Sequence, residues 1–509
     1  MTRTRNSLLN ISTGLVGQVL TLLTGFIVRS VFINKLGATY LGLSGLFSNI
    51  LSILSFAELG FGQAIIFSLY RPIAEGDTKK IGCLMSLFRR VYLWMFVIVA
   101  VLGTSLTPFL DFFTNRPVEI PHFSIIYLMY VGASASSYLF SYKKSLLFAS
   151  QKTYISTTIS YYFTIISAIL QVVILVFTLN FILYLTIQIV SNVILDIVIS
   201  RKTDRLYPFL KQSRYLKLPI EDLARIKKDV KALIIYKIGT LSLNSTDNII
   251  ISKYVGLLTV GLYSNYYLLC TSVGGFLSTV FSNITASIGN MNAVESPDMK
   301  IEMFFKIDMA TFWFYGISTL CLYTCMTPFI LIWVGPEYAL SNATSFIIAF
   351  NQYIAGMLYS SFNYRQTMGL FRQGQFRPII SAILNIVLSI ILAISFGLSG
   401  VLWGTALTRL LTNVWYDPYI VFKKGLQCSP WRYFKSYTSK LFVYLVAALT
   451  CGYIASKVQG SSFLNLIVIF LITIVMSFTI FYVFYGRASQ TRYLWTIAKN
   501  SINIIFQKS

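Results

Sequence analysis

Charge is scarce in this chain of 509 residues: 11% of it is Asp, Glu, Lys or Arg, where a soluble protein carries roughly a quarter. Histidine occurs once. Long polar stretches are scarce too. The longest, Arg201 to Lys231, is about thirty residues, too short to build a domain with its own core. These absences exclude a water-soluble globule and an attached soluble catalytic domain. Enzyme signatures are also missing: the sequence has no P-loop, no G-x-S-x-G elbow, no H-E-x-x-H and no dinucleotide fingerprint. The six cysteines, Cys83, Cys270, Cys321, Cys325, Cys428 and Cys451, form neither a disulfide framework nor a zinc pattern, and only Cys321 and Cys325 lie one helical turn apart. His122, at the mouth of an apolar run with no Cys or His nearby, reads as an interfacial side chain rather than a metal ligand. No metal, no cofactor and no enzymatic activity is expected.

What is present is apolar surface: 56% of residues are hydrophobic and 16% aromatic. At about twenty residues per crossing, that is enough for on the order of fourteen transmembrane helices. The runs divide near 7–33, 41–70, 88–110, 122–142, 155–178, 181–200, 232–252, 262–289, 307–333, 341–362, 378–396, 398–422, 441–456 and 463–486. The opening MTRTRNS resembles the start of a signal peptide, but the run that follows lacks a small-residue cleavage site and carries Arg29, so it is read as the first span. The 41 basic residues outnumber the 17 acidic ones, and their distribution decides what that means. Alternate loops with the span ends beside them and both tails hold 35 of them, while the opposite loops hold Lys35, Arg116, Lys253 and Lys457. The positive-inside rule then places both termini in the cytoplasm. The basic balance reflects topology and contact with anionic head groups, not nucleic-acid binding.

Within the linker, Pro219 to Lys231 has the pattern of an amphipathic interfacial helix. On either side of it the sequence repeats weakly. FINKLGATYLGL at 32–43 is echoed by IISKYVGLLTVGL at 250–262, each matched glycine falling 219 residues later. Gly37 matches Gly256 and Gly42 matches Gly261 in this alignment, and Lys35 matches Lys253 with a one-residue slip. A parallel duplication of six spans follows: residues 1–200 form one six-helix bundle, 201–231 the linker, 232–422 a second bundle, and 423–509 two added helices with a basic tail. The expected fold is an all-α polytopic membrane protein.

Four ionisable residues stand out inside spans, Arg29, Glu58, Asp247 and Arg409, and such residues normally face a cavity or pair with one another. Two readings stay open. Arg29 with Glu58, and Asp247 with Arg409, form structural ion pairs. Alternatively the arginines bind an anionic group, because a guanidinium presents forked donors to phosphate oxygens, and Glu58 or Asp247 binds a coupling cation such as H+ or Na+ or a sugar hydroxyl.

The segments FAELGFGQAI at 56–65, IYKIGTLSLNSTDNIIISKYVGLLTVGLYSNYYLL at 235–269 and QGQFRPIISAILNIVLSIILAISFGLSGVLWGT at 373–405 resemble the polysaccharide transport branch of the multidrug, oligosaccharidyl-lipid and polysaccharide (MOP) flippase superfamily. The resemblance spans nearly the whole chain. It implies a two-lobed, inverted-V flippase in the bacterial cytoplasmic membrane that moves undecaprenyl-diphosphate-linked oligosaccharide repeat units outward. Its implied context is a polysaccharide polymerase, glycosyltransferases and membrane lipids, with the protein acting as a monomer. Related lipid II flippases have fourteen spans and an arginine late in the first, a position that Arg29 resembles, and their last two spans form a groove for the lipid tail. Their counterion to that arginine has no match in spacing here.

Two other readings are distinguishable. A drug or organic-cation antiporter of the same superfamily favours cavity carboxylates, and a membrane-embedded polymerase or ligase carries a long outer loop, whereas the longest outer segment here is Asp111 to Pro121. Spans thirteen and fourteen follow a complete duplicated twelve, so the chain is expected to fold without them. They are either the tail's groove or a peripheral hairpin.

Overall fold

A computed structural model describes residues 3–54, 61–114, 120–212, 246–368, 376–458 and 462–496, with a few isolated residues between them. Among these residues the protein is helical throughout and has no strand. The helices are α1 (Arg3–Leu54), α2 (Phe61–Glu75), α3 (Thr78–Ser105), α4 (Phe123–Ala149), α5 (Thr153–Thr178), α6 (Phe181–Leu206), α7 (Asp247–Tyr254) and α8 (Leu257–Val294). They continue with α9 (Pro297–Trp333), α10 (Asn342–Met357), α11 (Tyr359–Thr367), α12 (Arg377–Leu411), α13 (Asn413–Ile420), α14 (Trp431–Lys457) and α15 (Phe463–Tyr485).

Nine described segments are long and apolar enough to cross a membrane, and four of the five by which that count falls short of fourteen are accounted for. α1 joins the first span to part of the second across a kink at Gly37, and α12 joins the eleventh to the twelfth across Gly397. Both glycines have positive φ, +82° and +56°, which an L side chain adopts only at a cost. The tenth span is broken between α10 and α11 at Leu358, and most of the seventh lies outside the described residues, as does most of the linker.

The chain divides into two compact units, residues 1–261 and 262–509. In the first, α3 buries Ile81, Leu84, Met85, Phe88, Tyr92, Met95 and Val99. That three-and-four spacing places them on one stripe, which packs with Leu69 of α2 and with Ala135, Tyr138 and Leu146 of α4. In the second unit, α9 is buried on most of its circumference, from Phe304 to Ile330, as expected of a helix at the centre of a bundle.

The repeat read from sequence has a direct physical counterpart. Gly37 and Gly256 both take positive φ, +82° and +130°. A Cβ on Gly42 would lie 2.0 Å from the Leu257 carbonyl oxygen, and one on Gly261 would lie 2.1 Å from that of Ala38. The contact is reciprocal: each glycine of the repeat receives the backbone of the other copy's segment. An alanine at either position must push two helical backbones apart. Gly42→Ala and Gly261→Ala are each expected to destabilise the protein by about 1–3 kcal/mol. Both act on one interface, so the double variant is expected to lose less than the sum. Thermal unfolding of the detergent-solubilised variants, followed by size-exclusion chromatography, measures this.

The two C-terminal helices correct an expectation. They are not a detachable addition, because α15 packs along α9: Phe481 lies tilted against Phe312 at 4.3 Å between ring centroids and meets Trp313 at 5.7 Å. α14 contributes Tyr444, stacked on Tyr353 at 3.8 Å, and Lys440, which pairs with Asp308 of α9 with both side chains 1% exposed. Removing α14 and α15 would strip the core of the second unit.

Candidate functional site

In the first unit, α1, α4 and α6 surround a cavity of about 430 Å³. Each helix supplies two polar side chains at i, i+4 spacing, which puts both on one face: Ser48 and Ser52, Tyr130 and Ser134, Gln188 and Asn192. Leu51, Ala133, Leu185 and Ile189 complete the lining. Tyr130 and Gln188 each fall seven residues into their helices, and Ser134 and Asn192 eleven. At about 1.5 Å per residue the cavity therefore lies roughly 10–17 Å from the helix ends, well inside a bilayer core of about 30 Å.

Arg29 lies at similar depth. It is eight residues before the Gly37 kink, about 12 Å from it. It is close enough to Tyr184 for the two to interact electrostatically. Tyr184 is on α6 one turn before Gln188, and it also interacts with Tyr130. Tyr184 thus connects the guanidinium to the cavity rim. Around it, Phe32, Phe181 and Tyr184 form a ring cluster with centroid separations of 5.2–6.0 Å. The lining combines neutral donors and acceptors, which suit hydroxyl-rich ligands, with one permanent cation beside them.

The other sequence-derived candidates are placed as follows. Asp247 opens α7 in the first unit, where the helix N-terminus favours a carboxylate; at the other end of the helix Lys253 lies 4.9 Å from the Phe112 ring. Glu58 lies outside the described residues. Arg409 is in the second unit, on α12, and its Nη1 donates to the Asn351 carbonyl of α10 at 2.7 Å. Asn351 in turn donates to the Leu402 carbonyl at 2.8 Å. At least one arm of the Arg409 fork is therefore engaged in joining helices.

Sequence reasoning missed three carboxylates inside expected spans. Asp196 pairs with Lys144 at 2.5 Å, Asp417 with Arg365 at 2.6 Å and with Arg377 at 3.3 Å, and Asp308 with Lys440. Their partners had been assigned to loops, so the pairing could not be anticipated from a search for isolated intramembrane charge. It also missed the six neutral residues of the cavity; the available signal was the three polar i, i+4 pairs within apolar runs. Among the described residues no His, Cys, Asp and Glu cluster is arranged to hold a metal ion.

The second unit carries a separate groove of about 480 Å³. Its walls are almost wholly apolar: Leu269 and Val273 of α8, Leu322 and Phe329 of α9, Leu466 and Phe470 of α15.

A bundle of long apolar helices with a polar-lined cavity among them is the architecture of a multi-pass membrane protein. No protein-family model matches the sequence, and no curated protein matches it. Solved structures do match in fold. The lipid II flippase MurJ in an inward closed conformation has a TM-score of 0.64 at 14% identity, covering 94% of this chain and 100% of that one. An inward-facing multidrug resistance MATE family transporter of the MOP superfamily has a TM-score of 0.61 at 12% identity, covering 79% and 94%. The Vibrio cholerae MATE transporter VcmN has a TM-score of 0.58 at 15% identity, covering 83% and 98%. The chain thus has the fold of MOP-superfamily flippases and transporters.

Proposed function

We propose that this protein is a flippase that carries undecaprenyl-diphosphate-linked oligosaccharide repeat units across the bacterial cytoplasmic membrane for cell-surface polysaccharide synthesis. The observation that carries this reading is the chemistry of the cavity. Among the described residues the polar part of its lining is hydroxyl and amide with no carboxylate, and Arg29 lies beside its rim. A sugar presents hydroxyls to such a lining and a diphosphate presents oxygens to a guanidinium. A cavity for organic cations would need acidic groups in that lining. The apolar groove between α8, α9 and α15 supports the same reading, because a fifty-five-carbon tail gains free energy by remaining out of water. The decisive experiment reconstitutes the protein in liposomes and measures translocation of a lipid-linked oligosaccharide and, separately, of organic cations. Transport of the cations with none of the lipid-linked glycan would assign the protein to the antiporter class instead.

The proposed orientation has both termini in the cytoplasm. With 35 basic residues on one side against four on the other, a cysteine replacing Arg214 is expected to be labelled by an impermeant maleimide only from the cytoplasm. A cysteine replacing Asn115 is expected to react only from outside. Labelling of both from one side would refute the topology.

A further inference from the structure

One end of the first unit holds a second cavity, of about 500 Å³, between the start of α5 and the end of α6. α6 has two chemically distinct faces at this end. One is turned toward α4 and contains both acidic residues of its last three turns: Asp196 pairs with Lys144 at 2.5 Å, and Asp204 with Lys143 at 2.7 Å. Lys143 also donates to Ser200 at 2.7 Å. The other face carries Val198, Arg201, Lys202 and Arg205, which follow i, i+3, i+4, i+7 spacing and so form one stripe. The three cations are exposed, and among the described residues no carboxylate lines the cavity.

The opposite wall belongs to α5. Ile155 and Ile159 are apolar and one turn apart, with Tyr154 and Thr158 beside them. Val198, one turn nearer the middle of α6 than Arg201, continues the apolar surface toward the membrane interior. The cavity is therefore amphiphilic along the membrane normal: cations where the helices leave the bilayer, hydrocarbon-facing side chains one turn deeper. A soluble anion would use only the first half of it. A lipid with an anionic head group would use both, its phosphate accepting from the guanidinium forks and its acyl chain lying along Ile159 and Val198.

We propose that this cavity is a binding site for an anionic phospholipid of the adjacent leaflet, distinct from the site at Arg29. It needs only that the protein spans a membrane and nothing from the assignment of the transported substrate.

The test is native mass spectrometry of the purified full-length chain with added phosphatidylglycerol or, as the neutral-head-group control, phosphatidylcholine. Wild-type protein is expected to retain phosphatidylglycerol in preference, and the R201Q/K202Q/R205Q variant to bind it on the order of a hundredfold more weakly, given what each basic residue at a membrane surface contributes. Charge neutralisation elsewhere, K423Q/K424Q, is expected to leave the adduct intact, and R201K/R205K to keep most of it. Ile159→Ser is expected to weaken the lipid adduct with the cations untouched. Unchanged binding by the triple Gln variant, or equal loss in the K423Q/K424Q control, would overturn the proposal. So would displacement by inorganic phosphate at equal concentration, which would mark a soluble-anion site. A polyprenyl phosphate that outcompetes phosphatidylglycerol would assign the cavity to lipid-linked substrate instead.

Discussion

Replacing Arg29 with Ala is expected to abolish transport of lipid-linked glycan while leaving the protein in the membrane at normal level. Loss of one partner from a buried, hydrogen-bonded charge pair costs about 2–5 kcal/mol, and each 1.4 kcal/mol is about tenfold, so flux should fall on the order of a hundredfold or more. Arg29→Lys is expected to recover part of it, because lysine keeps the charge but presents no fork. Arg409 provides the contrast. Its Nη1 already serves the Asn351 carbonyl, so Arg409→Ala should lower thermal stability as well as flux. Translocation into proteoliposomes, read beside the melting temperature of each variant, separates these effects. Normal flux in Arg29→Ala would remove the diphosphate role from this residue, and disappearance of the protein from the membrane would restore the reading of Arg29 as a structural ion-pair member.

The second large effect concerns Asp308 and Lys440. Both are buried, and the hydroxyls of Tyr353, Tyr433, Tyr437 and Tyr485 lie within electrostatic reach of the carboxylate. Removing one member of such a pair leaves an uncompensated charge, at a cost of about 3–5 kcal/mol. Lys440→Met alone is therefore expected to destabilise the second unit severely, and Asp308→Leu alone likewise. The double variant replaces both charges with apolar volume and is expected to recover most of the loss. Chromatographic thermal-stability assays on the three variants measure this directly, and additive losses in the double variant would show that the two residues do not act as a pair. A truncation after Ser436 is expected to fail for the same reason, since it removes Lys440, Tyr444 and Phe481 together.

The all-α membrane architecture was legible from apolar run lengths, and the repeat from two glycine-bounded turns. Those signals are local. A span must satisfy its backbone internally and cover about 30 Å of hydrocarbon, so twenty apolar residues in sequence are sufficient evidence of a crossing helix. A positive φ likewise selects glycine one position at a time, which is why Gly37 and Gly256 marked equivalent turns without any knowledge of their contacts. Arg29 was legible as well, because a cation in an apolar run stands out against its neighbours.

The cavity residues were not. A serine or glutamine in a span carries too small a penalty to stand out, and nothing in the order of residues states that Ser48, Tyr130 and Gln188 converge. The same holds for the buried ion pairs. Asp308 and Lys440 are 132 positions apart, and only the packing of α9 against α14 turns two residues at span edges into a single neutralised core element. Sequence alone determined the solvent this protein lives in, its helical content and the places where its backbone must turn, since each depends on a residue and its near neighbours. The tertiary structure decided which polar groups face one another, because in a bundle that choice depends on helix rotation and contact, which no single segment encodes.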